Sequence, residues 1–289
     1  MSDFPRMDGK ICLVTGATSG IGQVTAATLA ALGAAVGVVG RNPAKTERVV
    51  AQIRAESGNA RVHGFLADFA DLEQVRRLAA AVHEHFDRLD VLVNNAGAFF
   101  LRREPTPYGV EKTFLVNHLA PFLLTNLLLD LLRAAPAGRV INVASSMHRL
   151  GTLDWDDLAF AHGYGGMKAY GRSKLANLLF TRELARREAG TALTVNAMHP
   201  GRVATGIWKV GFAPLDRLAQ WAIVPFSVTP EEGADTILYL ATSPEVASVS
   251  GQYFVARKPV KPSEAARDDA LARKLWEVSA ALVGLAEAA

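Results

Sequence analysis

A tyrosine and a lysine four residues apart have the spacing needed for acid–base chemistry. Tyr170 and Lys174 stand in the sequence YGRSK, and on a helix this spacing places both side chains on one face. A phenol has a pKa of about 10 and is a poor acid at neutral pH, but a neighbouring ammonium stabilises the phenolate. We therefore predict that Lys174 lowers the pKa of Tyr170, which gives a proton to a carbonyl oxygen or takes one from an alcohol.

Hydroxyl and amide side chains elsewhere in the chain complete a candidate site. The apolar run Arg139–Ala144 is followed by two serines, and the hydroxyl of Ser145 or of Ser146 would face the same crevice and orient a substrate carbonyl. Asn117 lies inside an otherwise apolar helical stretch, where a buried amide needs a partner. It is either a satisfied core residue or the holder of a water that links Lys174 to solvent.

A glycine-rich segment, TGATSGIG, lies between the first predicted strand and the first predicted helix. Glycines there let the backbone turn tightly and approach a pyrophosphate, which lies at the helix N-terminus. An ordinary glycine-containing connection is the alternative, but the position in the first βαβ unit favours nucleotide binding. The residues expected around the nucleotide are Gly16, Thr18, Ser19, Gly20, Ile21 and Gly22 and, after the fourth strand, Asn95, Ala96 and Gly97.

The end of the second predicted strand bears on the choice between NADP(H) and NAD(H). NAD-binding units carry an acid about twenty residues past the glycines, where it binds the ribose 2′-hydroxyl. No Asp or Glu occurs between positions 34 and 46, and Arg41 and Asn42 stand at the expected place. A guanidinium pairs with a 2′-phosphate, so we predict NADP(H). We also expect Asp68 to accept a hydrogen bond from the adenine amine, with Phe69 packing nearby; a plain acid at a helix N-terminus is the alternative.

Short apolar runs alternate with helical stretches along the chain. This alternation predicts an α/β fold, a Rossmann-type doubly wound parallel sheet of about seven strands with helices on both faces. The predicted strands are Ile11–Thr15, Ala35–Val39, Arg61–Leu66, Val91–Asn94, Arg139–Ala144, Leu193–Met198 and Gln252–Val255. The predicted helices are Ile21–Leu32, Pro43–Ser57, Leu72–Phe86, Tyr108–Leu132, Ala169–Glu188 and Pro230–Ala241.

Two long segments, at about 147–168 and 202–229, interrupt this alternation, and a terminal helix is predicted at about 264–284. No linker divides the chain, so we expect a single domain over residues 1–289. Long connections at the carboxyl ends of parallel strands form ligand pockets, and aromatic side chains there favour a bulky, apolar ketone or aldehyde. Packing between loops is the alternative, and for His148 a structural partner. The expected lining residues are Phe99, Phe100, His148, Leu150, Trp155, Tyr164, Trp208 and Phe212.

Composition argues against several other classes of protein. The formal net charge is only +3, and the basic residues are dispersed, so we expect no nucleic-acid partner. Cys12 is the single cysteine, and no Cys/His cluster has metal-ligand spacing, so we predict no metal. Ile11–Gly40 lacks charged residues, but its glycines and threonines divide it into strand, turn, helix and strand. Met1–Lys10 cannot be a membrane helix, so we expect no integral membrane segment and a cytoplasmic location.

The order TGATSGIG, NNAG, Asn117, NVASS, YGRSK and HPG resembles a classical short-chain dehydrogenase/reductase over essentially the whole chain. The segments FLVNHLAPFLL, SSMH and ANLLFTREL are most similar to the retinol dehydrogenase-like and protochlorophyllide reductase-like branch. The resemblance implies a catalytic tetrad and selects the first of the two serines for it. The implied tetrad is Asn117, Ser145, Tyr170 and Lys174. The residues implied to hold the nicotinamide carboxamide are Pro200, Gly201, Val203 and Thr205.

The implied reaction is hydride transfer between the nicotinamide C4 and a carbonyl carbon of a small-molecule substrate. Tyr170 would protonate the oxygen, Ser145 would position it, Lys174 would also bind the nicotinamide ribose, and Asn117 would relay the proton. With NADPH we expect reduction of a ketone or aldehyde to an alcohol. Reduction of a C=C bond and a catalytically silent NADP(H)-binding sensor are the alternatives. The resemblance also favours a homodimer or homotetramer formed through the long helices.

Overall fold

A computed structural model describes residues 4–201 and 229–285 of the chain. These residues contain one eight-stranded sheet with the order β3-β2-β1-β4-β5-β6-β7-β8. The strands are β1 (Ile11–Thr15), β2 (Ala35–Gly40), β3 (Val62–Leu66), β4 (Val91–Asn94), β5 (Arg139–Val143), β6 (Thr194–His199), β7 (Tyr253–Val255) and β8 (Lys258–Pro259). The first seven pair in parallel, and only β8 runs antiparallel to its neighbour. The predicted Rossmann-type fold is confirmed, with one short edge strand more than predicted.

Helices cover both faces of this sheet. They are α1 (Gly20–Ala31), α2 (Pro43–Ser57), α3 (Leu72–His85), α4 (Lys112–Phe114), α5 (Ala120–Leu127), α6 (Leu129–Ala134), α7 (Gly166–Arg187), α8 (Pro230–Thr242) and α9 (Asp269–Leu282). Successive residues of β1 enter different cores: Cys12 and Val14 pack with α1, α2 and α8, whereas Leu13 packs with α3, α5 and α7. Burial on both faces explains why Ile11–Gly40 lacks charge. Within the described ranges, no helix is long and apolar enough to cross a membrane.

The predicted helix Tyr108–Leu132 is wrong in its extent. The helical structure begins at Lys112, where the Glu111 side chain caps it, and it includes a π-helical turn at Leu115–Leu119. Pro121 explains the change of helix type, because it lacks the N–H that the carbonyl group four residues earlier would accept in an α-helix. That carbonyl group belongs to Asn117. The proline therefore alters the backbone at one of the candidate catalytic residues.

The C-terminal helix α9 packs against α7 and α5. Trp276 lies edge-on to Phe122, with 4.9 Å between ring centroids, and the guanidinium carbon of Arg187 lies 4.3 Å from the Trp276 ring. The segment predicted at 264–284 begins with a short 3₁₀ turn, and α9 itself starts after the Asp268 cap. Helix α9 thus covers part of the α7 surface.

Candidate active site

The glycine turn is joined directly to the end of β4. The Asn95 side chain donates hydrogen bonds to the carbonyl oxygens of Thr15 at 2.8 Å and Gly16 at 3.3 Å. Gly16 has φ +62°, and a Cβ on it would lie 2.9 Å from the Cα of Ala96. A side chain at Gly16 would therefore separate the two loops, which explains the glycine in physical terms.

The N-terminus of α1 has the features of an anion site. Gly20 has φ +55°, Ser19 occupies the N-cap position without making a side-chain capping hydrogen bond, and the first turn contains no acid. The positive end of the helix dipole and the backbone N–H groups are thus not compensated by a protein carboxylate. The residues present at this turn fit the phosphates of a dinucleotide.

The residues expected near the adenosine ribose lie at the ends of β2 and β3. Arg41 is exposed, while the Asn42 side chain accepts a hydrogen bond from the Lys45 N–H and caps α2. Asp68 accepts from the Ala70 N–H at 3.0 Å and is not the cap of α3. Phe69 is buried in the core, so its side chain packs with the protein. The Ala67 N–H bonds to the Gly40 carbonyl group, which keeps the two strand ends together.

Helix α7 brings Tyr170 and Lys174 to the same place. The Lys174 Nζ lies 5.4 Å from the centroid of the Tyr170 ring and donates to the Val143 carbonyl group at 2.8 Å. The Phe99 ring meets the Tyr170 ring edge-on at 5.9 Å. Both side chains of the pair are buried. The structure therefore brings the predicted acid–base pair together in an environment with little access to water.

The predicted lowering of the Tyr170 pKa is wrong for this arrangement. Burial raises the pKa of Tyr170 to about 12, and the nearby Ser145 side chain opposes this rise only in part. Burial also lowers the pKa of Lys174 to about 8. Both changes have the same physical cause, since an environment of low polarity disfavours the phenolate and the ammonium alike.

The surroundings of Tyr170 distinguish between the two serines, because the Ser145 side chain is the one that lowers the Tyr170 pKa. Ser145 is buried, and its hydroxyl oxygen also accepts from the Met147 N–H at 3.2 Å. Ser146 starts the 3₁₀ turn Ser146–Leu150 and is exposed. The geometry thus brings the first serine, and not the second, to the phenol.

Asn117 links the loop after β4 to α7. Its amide donates to the Ala98 carbonyl group at 2.9 Å and to the Ser173 hydroxyl at 3.0 Å, and its oxygen accepts from the Ala98 N–H at 2.7 Å. A Cβ on Gly97 would lie 3.4 Å from this oxygen and 3.7 Å from the Lys174 Nζ. The side chain of Asn117 is a satisfied buried amide, and the water relay stays a prediction.

A buried polar network joins the ends of β4 and β5 to the neighbouring helices. Asn94 and Asn142 are paired in register on β4 and β5, and the amide of the first donates to the oxygen of the second at 2.8 Å. The same Asn94 amide donates to the Thr125 hydroxyl, and the Asn142 amide donates to the Thr181 hydroxyl. In the sequence, this network is indicated by an asparagine near the end of each of two apolar strands, because the two strands are neighbours and pair these residues. The threonine partners follow only from tertiary contacts.

Several residues predicted for the substrate pocket have partners within the protein. The Tyr164 hydroxyl donates to the Phe100 carbonyl group at 2.7 Å. Trp155 packs against the core with the Lys274 Nζ 4.9 Å from its ring, and Leu150 is exposed. Pro200 and Gly201 follow β6. The other predicted contacts lie outside the described residues: Val203, Thr205, Trp208 and Phe212.

His148 has the structural partners that were the alternative to a substrate contact. Its Nδ1 bonds to the Ser145 carbonyl oxygen at 2.7 Å, and its Nε2 accepts from the Ser263 N–H at 3.1 Å. The residue is 1% exposed and its ring meets Tyr253 edge-on at 5.3 Å. These partners favour the structural role of His148 over a contact with substrate.

Comparison with known proteins agrees with this geometry. The family model described as short chain dehydrogenase matches residues 10–213, so the chain belongs to the short-chain dehydrogenase family. Within it, the chain belongs to the retinol dehydrogenase-like branch: it is 43% identical to human (Homo sapiens) retinol dehydrogenase 14 over an alignment of 297 positions, which covers 96% of this chain and 88% of that protein. Membership in this family makes the protein an oxidoreductase that acts on CH–OH groups with a nicotinamide cofactor.

Solved structures show the same similarity. An uncharacterized protein from Mycobacterium paratuberculosis superposes with a TM-score of 0.78 at 33% identity, covering 98% of this chain and 96% of the other. The Pseudomonas aeruginosa RhlG/NADP active-site complex superposes with a TM-score of 0.70 at 30% identity, covering 88% of this chain and 97% of the other.

Proposed function

We propose that the protein is an NADP(H)-dependent reductase of bulky, apolar ketones or aldehydes, with Tyr170 as the general acid. The observation that carries this proposal is the buried pair of Tyr170 and Lys174, in which the Lys174 Nζ lies 5.4 Å from the centroid of the Tyr170 ring, with the Ser145 side chain close enough to lower the Tyr170 pKa. A phenol and a hydroxyl group that lie together at the carboxyl ends of the parallel strands are suited to binding a carbonyl oxygen. The reverse oxidation of the alcohol uses the same groups.

When bound, the nicotinamide supplies or accepts the hydride at the substrate carbon. The Ser145 hydroxyl orients the substrate oxygen, and Tyr170 donates its proton to that oxygen as negative charge develops there. A phenol with a raised pKa is fully protonated at neutral pH, yet it is a much stronger acid than the product alcohol. The protonated phenol is the form that general-acid catalysis of carbonyl reduction requires.

Lys174 and Asn117 would support this step from the protein side. We assign Lys174 to the ribose hydroxyls of the cofactor, because its ammonium lies beside Gly97, where a Cβ would be in contact with it. Asn117 holds the loop backbone at Ala98 and the Ser173 hydroxyl on α7. Its position next to Lys174 supports the proposed passage of a proton to solvent through water.

Preference for NADP(H) rests on the region after β2. Arg41 is exposed there, and no carboxylate occurs between positions 34 and 46 to repel a 2′-phosphate. The presence of NADP in the solved complex of the related Pseudomonas aeruginosa protein supports this assignment. NAD(H) would be the weaker cofactor.

The substrate class follows from the aromatic side chains near Tyr170 and from the relatives. Phe99 contacts the Tyr170 ring. The Tyr164 hydroxyl donates a hydrogen bond to the carbonyl group of Phe100, which follows Phe99 in the chain. The name of the human relative, retinol dehydrogenase 14, makes retinal the first carbonyl compound to test. Steroid ketones and quinones share its bulk and low polarity.

The test is NADPH consumption by the purified protein against retinal, steroid ketones and quinones, with Tyr170→Phe in parallel. We expect turnover of at least one compound, reduced by about 100-fold or more in the variant, with NADPH binding retained. Equal turnover in both proteins would remove Tyr170 from the mechanism. Tight NADPH binding without turnover of any carbonyl compound would favour a sensor, and formation of a saturated carbonyl product would favour C=C reduction.

A further inference from the structure

The segment Lys258–Arg267 begins at the edge strand of the sheet. It is connected to the candidate active site through the side chain of His148, which bonds both to this segment and to Ser145. It begins at β8, where the Val260 N–H donates to the Tyr253 carbonyl group at 2.7 Å, and ends at a 3₁₀ turn whose Ala266 is buried. Between these two attachments it forms one side of an open pocket of about 270 Å³ next to α7 and β7. Between its two ends, the segment is also attached through the backbone N–H of Ser263.

His148 provides this attachment. The Ser263 N–H donates to its Nε2, so this nitrogen is not protonated, and Nδ1 must carry the proton that is donated to the Ser145 carbonyl oxygen. The two bonds therefore select one neutral tautomer. Burial lowers the pKa of His148, which favours the same neutral ring. Contact with the Tyr253 ring limits its rotation.

Ser145 is both the residue to which His148 is bonded and the residue proposed to orient the substrate oxygen. Its carbonyl oxygen accepts a hydrogen bond from the His148 Nδ1–H. Its side-chain oxygen accepts from the Met147 N–H, and the same side chain lies close enough to Tyr170 to lower the pKa of the phenol. A shift of the Ser145 carbonyl group would turn the residue and move its hydroxyl. Even a shift of about 1 Å at a catalytic group lowers the rate substantially.

We propose that His148 is a positioning residue, through which the segment Lys258–Arg267 holds the Ser145 hydroxyl in the orientation that Tyr170 and the substrate need. This inference rests on the proposed function for the role of Ser145. The connection itself is a property of the described structure and can be tested without turnover.

The first test compares two substitutions at Ser263 in the full chain. Ser263→Pro removes the N–H that binds His148, whereas Ser263→Ala keeps it and removes only a hydroxyl for which the described structure shows no hydrogen-bond partner. We expect Ser263→Pro to lower kcat about tenfold with the Kd for NADPH changed less than about twofold, and Ser263→Ala to match the wild type. An unchanged kcat in folded Ser263→Pro, or a parallel loss of NADPH affinity, would overturn the proposal.

A double-mutant cycle with His148→Phe separates positioning from general damage. Phe preserves the ring that packs on Tyr253 but forms neither hydrogen bond. If Ser263→Pro and His148→Phe break the same connection, the kcat of the double variant equals the lower of the two single-variant values. Losses that multiply contradict the proposal. Should Ser263→Pro not fold, a kcat of His148→Phe equal to that of the wild type contradicts it as well.

Nuclear magnetic resonance supplies a readout that does not depend on the reaction. We expect ¹⁵N-labelled wild-type protein to show His148 protonated at Nδ1, and Ser263→Pro to change the ¹⁵N pattern of the ring and the ¹³C shift of the Ser145 carbonyl group. Ser263→Ala should show neither change. If the proposed function fails because Tyr170→Phe has the same turnover as the wild type, these spectra still show whether Ser263 is connected to Ser145 through His148. An unchanged Ser145 shift in Ser263→Pro overturns it.

Discussion

The ammonium of Lys174 donates a hydrogen bond to the carbonyl oxygen of Val143 at 2.8 Å. This bond joins α7 to the end of β5, two residues before Ser145, and so ties the helix that carries Tyr170 to the strand end that carries the candidate serine. Lys174 is buried, and a charged group there would be held by few protein partners. Loss of the proton from Lys174 would therefore change the electrostatics of the site.

The first prediction concerns this charge. Because burial lowers the pKa of Lys174 to about 8, the ammonium is present below that pH and is lost as the pH rises through it. We expect the Kd for NADPH to increase above pH 8, by up to about tenfold per pH unit, in fluorescence titrations. Lys174→Met should bind more weakly and lack this inflection, while exposed Lys168→Met should retain it. An inflection of equal size in Lys174→Met would assign the titration to another group.

The second prediction tests the choice of cofactor. Arg41→Ala should weaken NADPH binding about tenfold, which corresponds to about 1.4 kcal/mol for a lost charge-assisted contact, and leave NADH binding unchanged. Arg48→Ala removes an exposed charge from α2 and serves as the matched control. Binding by calorimetry gives both constants. Equal weakening of NADPH and NADH would show that Arg41 does not recognise the 2′-phosphate.

The third prediction uses the space beside Gly97. A methyl group there would be 3.4 Å from the Asn117 oxygen and 3.7 Å from the Lys174 Nζ, which are ordinary contact distances. Gly97→Ala should therefore change the free energy of unfolding by less than about 1 kcal/mol but reduce NADPH affinity about tenfold or more. The control is Gly165→Ala, where a Cβ meets only Lys168 at 3.8 Å. Undiminished affinity in Gly97→Ala would place the cofactor elsewhere.

The fourth prediction concerns Asn117 and the backbone that it holds. Asn117→Ala leaves the N–H and the carbonyl group of Ala98 without their side-chain partner, so the free energy of unfolding should fall by about 2 to 4 kcal/mol. Asn126→Ala removes a single bond to the Phe122 carbonyl group at a half-buried site and should cost less than about 1 kcal/mol. Urea unfolding measures both. Similar losses in the two variants would contradict the assigned role of Asn117.

The fifth prediction concerns His118, which follows Asn117 in the π-helical turn and bonds through Nε2 to the Ser279 hydroxyl of α9 at 2.9 Å. Burial lowers its pKa from 6.5 to about 3. The unfolded chain therefore binds a proton that the folded chain does not, and stability falls as the pH drops from about 6.5 towards 3. Between pH 7 and pH 5 the loss from this group is about 2 kcal/mol.

The control for His118 replaces both partners. In His118→Leu/Ser279→Ala neither side chain is left with an unpaired polar group, and the component of the acid destabilisation that belongs to His118 should disappear. Urea unfolding at pH 7 and pH 5 compares this variant with the wild type. An equal loss of stability in both proteins would show that other groups, such as half-buried His199, whose pKa is also lowered by burial, account for it.

Elements with strong local signals could be predicted from the sequence. Strands Ile11–Thr15 and Val91–Asn94 were predicted with the bounds that they have, because a buried parallel strand is a continuous apolar run between polar or glycine residues. Helix Pro43–Ser57 was also predicted correctly, since an asparagine cap precedes it and a left-handed glycine follows it. Within the candidate tetrad only Ser145 follows the end of a strand, whereas Asn117 lies in the π-helical turn and Tyr170 and Lys174 lie inside α7.

Features that depend on contacts between distant parts of the chain could not be predicted. The π-helical turn at Leu115–Leu119 combines a local cause, Pro121, with the bonds of Asn117 to Ala98 and Ser173. The direction of the Tyr170 pKa shift was wrong because a spacing along one helix contains no information on burial by other elements. The bond between Ser263 and His148 joins segments with no shared pattern. Local periodicity encodes how a residue sits on its own element, whereas solvation and hydrogen-bond partners depend on packing between elements.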